Sequence, residues 1–558
     1  MRVLIIGAGA GGPKVAARAR RLAPQAEITM VDRNHIISYA GCGMPYYLAG
    51  EVKNFDELLQ TPYGIKRDEA YFQNEKAVKV LTRTEAVGID RARKEAALVN
   101  LDTGERLMLP YDKLVLATGA RPFTLPVEGG DLAGVYYFHG PEDVQKLESE
   151  LKEAREVAVI GAGFIGLEVA EALSRHPVFV TVVEQKEHIL PGLLDADVAR
   201  VLQGRLEERG LEFRLGQRVT RLEGNDAGRV ARVITEKGAI EADLVIVAAG
   251  VRPNVDLARA SGLALGETGA LLVNEFLQTS DPDIYAVGDC VENVHLLSGR
   301  KVYTPLASIA VRQGRVAADN VVGGQSRFKG VLVTAVAKLF DCNVGRTGLG
   351  LQEARAAGFK AMATLVTALD RPAYYPGQGL ILVKLITEEG TQRLLGAQVL
   401  GTGEVVKRID VLATMIRLGG TLDDLAEVDL GYSPPFSTPL DALHHTANTV
   451  RNKQAGLAQC IAPDELYARM QNGDDFVILD VRTLPQHAAK PFKDPRVVVI
   501  PLGELRARLG ELPREKEIVV ICPQGLRSYE AQCILRGAGF KHVRFLEGGL
   551  NAWPYGLG

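Results

Sequence analysis

The chain has 558 residues, of which 47% are hydrophobic and 24% charged, with a formal net charge of −3. That length holds about three to five domains of ordinary size. The near-neutral balance gives no general electrostatic reason to expect nucleic acid or a membrane surface as partner, and no apolar run reaches the roughly 18 residues of a spanning helix.

The N-terminus, Met1-Arg2-Val3-Leu4-Ile5-Ile6-Gly7, reads as a buried strand entering a glycine turn and not as a signal peptide. Cys42, Cys290, Cys342, Cys460, Cys522 and Cys533 show neither a C-x-x-C pair nor a framework spacing. Free thiols in a reducing compartment are expected, hence a cytoplasmic location, and no metal site.

In chain order, the apolar strand Val3–Ile6 runs into Gly7-Ala8-Gly9-Ala10-Gly11-Gly12, and a helix follows to about Leu22. A second strand, Glu27–Val31, ends in Asp32. Strand, G-x-G-x-x-G, helix, strand and acid is the order of a Rossmann unit. Gly7, Gly9 and Gly12 admit a pyrophosphate to the helix N-terminus, and Asp32 accepts hydrogen bonds from ribose hydroxyls. On the first helix, Lys14, Arg18 and Arg21 fall at i, i+4 and i+7, a basic stripe able to hold phosphates.

The run Ser38-Tyr39-Ala40-Gly41-Cys42-Gly43-Met44-Pro45-Tyr46 comes next, and it holds one cysteine. A dithiol centre needs a resolving thiol nearby, but the next cysteine is Cys290. Cys42 must therefore store an oxidised state with a small thiol, a sulfane sulfur or an oxygen. Pro45 suits the first turn of a helix, and a thiol at a helix N-terminus is expected to ionise below its free value of about 8.5.

The nucleotide pattern repeats at Glu156–Ile160, Gly161-Ala162-Gly163-Phe164-Ile165-Gly166 and Val178–Val183, ending in Glu184. Gly161, Gly163 and Gly166 repeat the roles of the first loop. Glu184 should bind a free 2′-hydroxyl and repel a 2′-phosphate, which favours NADH, with NADPH tolerated. Three further apolar strands end on small residues: at Ala117-Thr118-Gly119, at Gly250, and at Gly288-Asp289, where the carboxylate suits a hydroxylated chain.

From about Phe328 the pattern becomes α+β, with strands expected at Val331–Phe340, Lys360–Thr367, Gly379–Leu385 and Leu394–Val399 and helices near Gly403–Leu418 and Thr421–Glu427. His444 and His445 read as surface or interface residues. Residues 448–459 read as a linker. The last hundred residues alternate short strands and helices. There Cys522 follows the strand Ile518–Ile521 and opens a loop closed by Arg527, a nest of N–H groups suited to a thiolate or persulfide. Asp480 and Arg482 read as an ion pair, and Cys533 as core.

Residues 1–446 resemble the pyridine nucleotide-disulfide oxidoreductases. The single-cysteine run, with Tyr374-Tyr375-Pro376-Gly377 and Gly431-Tyr432-Ser433-Pro434-Pro435-Phe436-Ser437, is most similar to the coenzyme A-disulfide and NADH-dependent persulfide reductases. Asp480-Val481-Arg482 and Cys522-Pro523-Gln524-Gly525-Leu526-Arg527 resemble a rhodanese.

The resemblance implies an α/β chain with two interleaved Rossmann-like nucleotide-binding domains, an α+β dimerisation domain and a C-terminal α/β rhodanese domain. The expected boundaries are 1–119 with 250–325 for FAD, 120–249 for NAD(P)H, 326–446 for dimerisation, 447–459 as linker and 460–558 for the rhodanese. It further implies Cys42 as the redox thiol, Tyr374 and Tyr432 as residues brought to it from the partner of a homodimer, and coenzyme A as substrate or ligand at Lys14, Arg18, Arg21, Ser38 and Lys76. Small thiols and persulfides are the expected partners.

The chain departs from the family at Gly41, where an asparagine is usual, and at Leu440, where a lysine is. The related NADH oxidases and peroxidases usually carry a histidine where this chain has Ala10. The expected activity is NAD(P)H-dependent reduction of persulfide, polysulfide and coenzyme A-disulfide, with the rhodanese handling sulfane sulfur. The alternatives are an NADH oxidase or peroxidase working through a sulfenic acid, and a flavin–thiol redox sensor.

Overall fold

The structure is a computed structural model that describes residues 1–556; residues 557 and 558 of the expected rhodanese segment lie outside the described residues. The chain divides into two compact units, 1–185 with 211–331 and 186–210 with 332–558.

The first unit holds the internal repeat. One five-stranded parallel sheet has the order Ile284–Ala286, Lys113–Leu116, Arg2–Ile6, Glu27–Val31, Lys79–Leu81. The other has the order Glu212–Leu215, Phe179–Glu184, Glu156–Ile160, Leu244–Val247, Val135–Tyr137. In each, the strand that enters the glycine loop lies at the centre, and its neighbours' C-terminal ends converge on that loop. These central strands are buried on both faces, which is why they read as unbroken runs of Val, Ile and Leu. A three-stranded antiparallel meander is inserted within the chain path of each sheet, before Lys113–Leu116 in the first and before Leu244–Val247 in the second. The two crossings between the halves, Ala120–Pro122 and Val251–Pro253, pair with each other, and Thr118 Oγ donates to the Asn254 carbonyl at 2.7 Å.

The second unit contains an antiparallel sheet in the order Ala335–Leu339, Cys342–Gly348, Leu394–Gly401, Leu380–Glu388, Ala361–Leu369. The expected strand over Val331–Phe340 is shorter, because Val333 and Phe340 take left-handed φ of 55° and 56° at its ends. The strand Cys342–Gly348 was not expected. Its glycines hide the pattern, yet Gly345 is needed: a Cβ there would lie 2.7 Å from Ile409 Cγ1.

The segment read as a linker is a correction. Residues 448–454 complete the helix Ala442–Gln454, which buries Ala447 and Val450. The segment 186–210, placed by sequence with the NAD(P)H domain, groups with the second unit. Its Asp195 and Asp197 each hold the buried Lys384 at 2.7 Å.

The C-terminal part of this unit is a five-stranded parallel sheet in the order Cys460–Ile461, Val543–Leu546, Ile518–Ile521, Val477–Asp480, Val497–Val499. An apolar core covers each face, one built around Leu479, Val520 and Leu535, the other around Ile478, Val519 and Trp553.

Candidate active sites: two nucleotide loops and two cysteine centres

The two glycine loops share one geometry. A Cβ on Gly7 would lie 2.0 Å from the Ala117 oxygen, and one on Gly12 would lie 1.9 Å from the Gly7 oxygen. A Cβ on Gly161 would lie 2.5 Å from the Ala248 oxygen, and one on Gly166 would lie 2.0 Å from the Gly161 oxygen. Gly12 and Gly166 close the loops on themselves, and Gly7 and Gly161 admit the end of the neighbouring strand. Gly9 and Gly163 meet nothing within 4 Å, so their bareness serves something outside the loop: each leaves a cradle that a side chain would fill.

The acids repeat as well. Asp32 Oδ2 accepts the Ala8 N–H at 2.7 Å, and Glu184 Oε2 accepts the Ala162 N–H at 2.9 Å. Burial raises the Asp32 carboxyl above its ordinary range, against the pull of the N–H groups of Asn34 and Ala8.

The third strand-end site shows features that the sequence did not disclose. Gln313, Asn293 and Thr304 form a buried chain: the Gly288 N–H donates to Gln313 Oε1 at 2.8 Å, Gln313 Nε2 to Asn293 Oδ1 at 2.8 Å, and Asn293 Nδ2 to Thr304 Oγ at 2.9 Å. It holds Gly288 at φ 81° and so presents Asp289. Burial pushes the Asp289 carboxyl up to about 6. The Tyr303 hydroxyl is buried with no partner, and burial together with the charge of Asp289 raises its pKa. A buried carboxyl and an orphaned buried hydroxyl suit a ligand rich in hydroxyl and amide groups. These groups therefore fit FAD, which Gly7, Gly9, Gly12, Asp32, Gly288 and Asp289 would hold.

Cys42 is exposed, in the 3-10 turn Gly41–Gly43 that precedes the short helix Met44–Leu48. Its glycine neighbour is forced, since a Cβ on Gly43 would lie 2.4 Å from Leu58 Cδ2. The expectation of an easily ionised thiol is corrected. Dense surrounding protein raises the Cys42 pKa first, and the charges of Glu168 and Asp289 add to it. Burial and Glu171 push Glu168 up to about 7, and burial with nearby carboxylates pushes Tyr46 up to about 12.

The expected substrate residues divide. Lys14 is half-buried and Arg21 exposed, and among the described residues neither side chain has a hydrogen-bond partner. Arg18 is committed to Asp319, which Ser326 also holds. Ser38 is buried, at a left-handed φ of 51°. Lys76 ends the helix Glu69–Lys76, 3.5 Å from Glu75 and over the Tyr71 ring. In the second unit Tyr374 and Tyr432 are exposed, at 75% and 48%. His444 is buried, unlike its expected surface role: its Nδ1 accepts the Asp441 N–H, which leaves Nε2–H to donate to the Val428 carbonyl at 2.8 Å. His445 is exposed.

The second cysteine centre is tightly built. Cys522 lies at the end of Ile518–Ile521 and is 1% exposed. The Gly525 N–H donates to its Sγ at 3.1 Å, and the helix Leu526–Gly537 starts immediately after. Arg527 Nη1 donates to Gln486 Oε1 at 2.9 Å; Gln486 is itself part of the Thr483 capping box of the helix Leu484–Ala489. Asp480 binds Arg482 and His487 as an ion-paired brace. Its carboxyl stays below the usual range although burial works the other way. Cys533 is exposed, not core.

Two dinucleotide loops, a lone thiol and a persulfide-type loop in one chain define a nucleotide-dependent sulfur oxidoreductase. The family model for pyridine nucleotide-disulphide oxidoreductases matches residues 1–314, that for their dimerisation domain 334–443, and that for rhodanese-like domains 462–554. The chain belongs to the pyridine nucleotide-disulphide oxidoreductases.

Among solved structures it resembles an NAD-dependent persulfide reductase from A. fulgidus at a TM-score of 0.95 and 44% identity, covering 99% of this chain and all of that one. It is 35% identical to the NAD(P)H coenzyme A polysulfide/persulfide reductase of Pyrococcus horikoshii, over 79% of this chain and 96% of the relative. It is also 36% identical to a protein of Methanocaldococcus jannaschii named NADH oxidase, over 81% of this chain and 99% of the relative.

Proposed function

We propose that this chain uses NAD(P)H to reduce persulfide, polysulfide and coenzyme A-disulfide sulfur through Cys42, and that Cys522 carries sulfane sulfur for the same chemistry. The observation that carries this reading is the exposed Cys42, with no second cysteine in its run, in the same chain as a loop whose Gly525 N–H donates to the Cys522 sulfur.

Bound FAD supplies the two-electron link between the nicotinamide and sulfur. The Cys42 thiolate attacks a coenzyme A persulfide, forming a Cys42–S–S–CoA bond and releasing hydrosulfide; with coenzyme A disulfide the leaving group is the coenzyme A thiolate. Two electrons originating in NAD(P)H, with one proton, then return free coenzyme A thiol and the Cys42 thiolate. Tyr374 and Tyr432, both exposed, act from the partner subunit of a homodimer as donors to the leaving thiolate.

Lys14 and Arg21 are the cations open to coenzyme A phosphates, with Ser38, Arg18 and Lys76 bordering them. Glu184 favours NADH, and Gly161, Gly163 and Gly166 seat its pyrophosphate; Ala117, Thr118, Gly119 and Gly250 line the strand ends. At the second centre the Cys522 thiolate takes the outer sulfur of a donor such as thiosulfate, forming Cys522–S–S⁻ and releasing sulfite, and Arg527 attracts the anion. The free thiols agree with a cytoplasmic setting.

The name of the M. jannaschii relative keeps an oxygen-reducing activity as the rival. NADH consumption with coenzyme A persulfide, coenzyme A disulfide, oxygen and peroxide separates them. Faster turnover with the sulfur substrates is expected, and a preference for oxygen or peroxide refutes the proposal.

A further inference from the structure

The strand Ala361–Leu369 forms one edge of the antiparallel sheet, and an edge leaves backbone groups pointing outward. Here the helix Ala442–Gln454 and the C-terminal domain together meet that edge. The Glu547 carboxylate accepts the Leu365 N–H. Lys453 Nζ donates to the Ala363 carbonyl at 3.2 Å, to Thr364 Oγ at 3.1 Å and to Glu547 at 2.5 Å. Thr367, 4% exposed, donates its Oγ to the Gly548 carbonyl at 2.8 Å.

Gly548 begins the turn that seats the Cys522 loop. Gly548 and Gly549 are both left-handed, at φ 69° and 65°. A Cβ on Gly549 would lie 2.6 Å from the Cys522 and Pro523 oxygens. The next two N–H groups bind those same oxygens: Leu550 to Cys522 at 2.9 Å and Asn551 to Pro523 at 3.0 Å. A continuous path therefore runs from the edge strand through the Thr367 hydroxyl and the Gly548–Asn551 backbone to the peptide that carries the sulfur atom. That peptide is followed by the Gly525 N–H, which holds the sulfur.

We infer that the edge strand of the dimerisation domain is a working part of the sulfurtransferase site, with Thr367 as a positioning residue for Cys522 and the Lys453–Glu547 pair clamping the same turn. Sulfur transfer in this chain then depends on docking between the two domains. The inference rests on reading Cys522 as a sulfur acceptor.

The test uses the full-length protein as wild type, Thr367→Val and Thr367→Ser. Thiosulfate is the donor. Its outer sulfur goes to Cys522 with release of sulfite, and cyanide then removes that sulfur as thiocyanate and restores the thiolate. Mass spectrometry follows persulfide formation on Cys522 in a single turnover. Thr367→Val is expected to lower that rate and kcat about tenfold, the scale of one buried hydrogen bond, and to leave KM within about twofold. Thr367→Ser keeps the wild-type rate, and NADH-driven turnover at Cys42 is unchanged in both. In Thr367→Val the Leu550 and Asn551 amides exchange hydrogen faster. Wild-type kcat and exchange in Thr367→Val overturn the inference, as does a serine variant as slow as the valine one. If wild-type Cys522 takes no sulfur from thiosulfate or glutathione persulfide, the reading of Cys522 falls first and the inference with it.

Discussion

Alanine at Gly9 separates a glycine kept for a ligand from a glycine kept for the fold. Gly9 does not occupy the left-handed region, and a Cβ there meets no atom within 4 Å. Gly9→Ala is therefore expected to leave apoprotein stability within about 0.5 kcal/mol of wild type. The new methyl group occupies the space reserved for a pyrophosphate and costs at least one charge-assisted N–H bond to it. At about 1.5–3 kcal/mol this weakens FAD binding roughly 10- to 150-fold. Gly12→Ala is the control. Its Cβ would lie 1.9 Å from the Gly7 oxygen, so the loop itself must shift, at about 1–3 kcal/mol or more. Flavin absorbance after gel filtration reads retention, and thermal melting of the apoproteins reads stability. A Gly9→Ala protein that keeps full flavin, or a Gly12→Ala apoprotein as stable as wild type, refutes the assignment of the first loop.

Glu168→Gln tests the carboxyl that burdens Cys42. With its pKa near 7 in the native state against an ordinary 4.5, the native state holds a proton that the unfolded chain has released, so stability falls as pH rises between these values, by on the order of 3 kcal/mol. Glu168→Gln apoprotein is expected to lose that slope in denaturant unfolding across the window, and its Cys42 alkylation profile shifts to lower pH; curves parallel to wild type contradict both. Gln486→Glu places a carboxylate on Arg527 and so weakens its pull on an anionic donor. An ion pair of about 1 kcal/mol raises KM for thiosulfate about fivefold. An unchanged KM means that Arg527 does not attract the donor.

The two nucleotide loops were legible because their requirements are local. Strand, glycine spacing and terminal acid lie within one short stretch, and the hydrogen bonds from Ala8 to Asp32 and from Ala162 to Glu184 carry out what that order implies. The Cys522 loop was legible for the same reason. What escaped depends on distant partners. The Gln313–Asn293–Thr304 chain matters only because folding brings three unremarkable polar residues together around Gly288. The raised pKa of Cys42 follows first from the protein packed around it and then from Glu168 and Asp289, all brought there from elsewhere in the chain, so local helix-end reasoning got its direction wrong. The helix Ala442–Gln454 carries too many polar residues to announce itself, and Cys342–Gly348 is a strand whose glycines answer to Ile409. The position of both cysteines beside glycine turns was visible; the packing around Cys42 was not.

The most direct test of the central claim is mass spectrometry of intact protein mixed with coenzyme A persulfide, before and after NADH, for wild type and Cys42→Ser. The wild type is expected to carry one coenzyme A adduct on Cys42 that NADH removes with release of hydrosulfide, and the serine variant to carry none and to oxidise no NADH with this substrate. Undiminished persulfide-dependent NADH oxidation by Cys42→Ser would contradict the account.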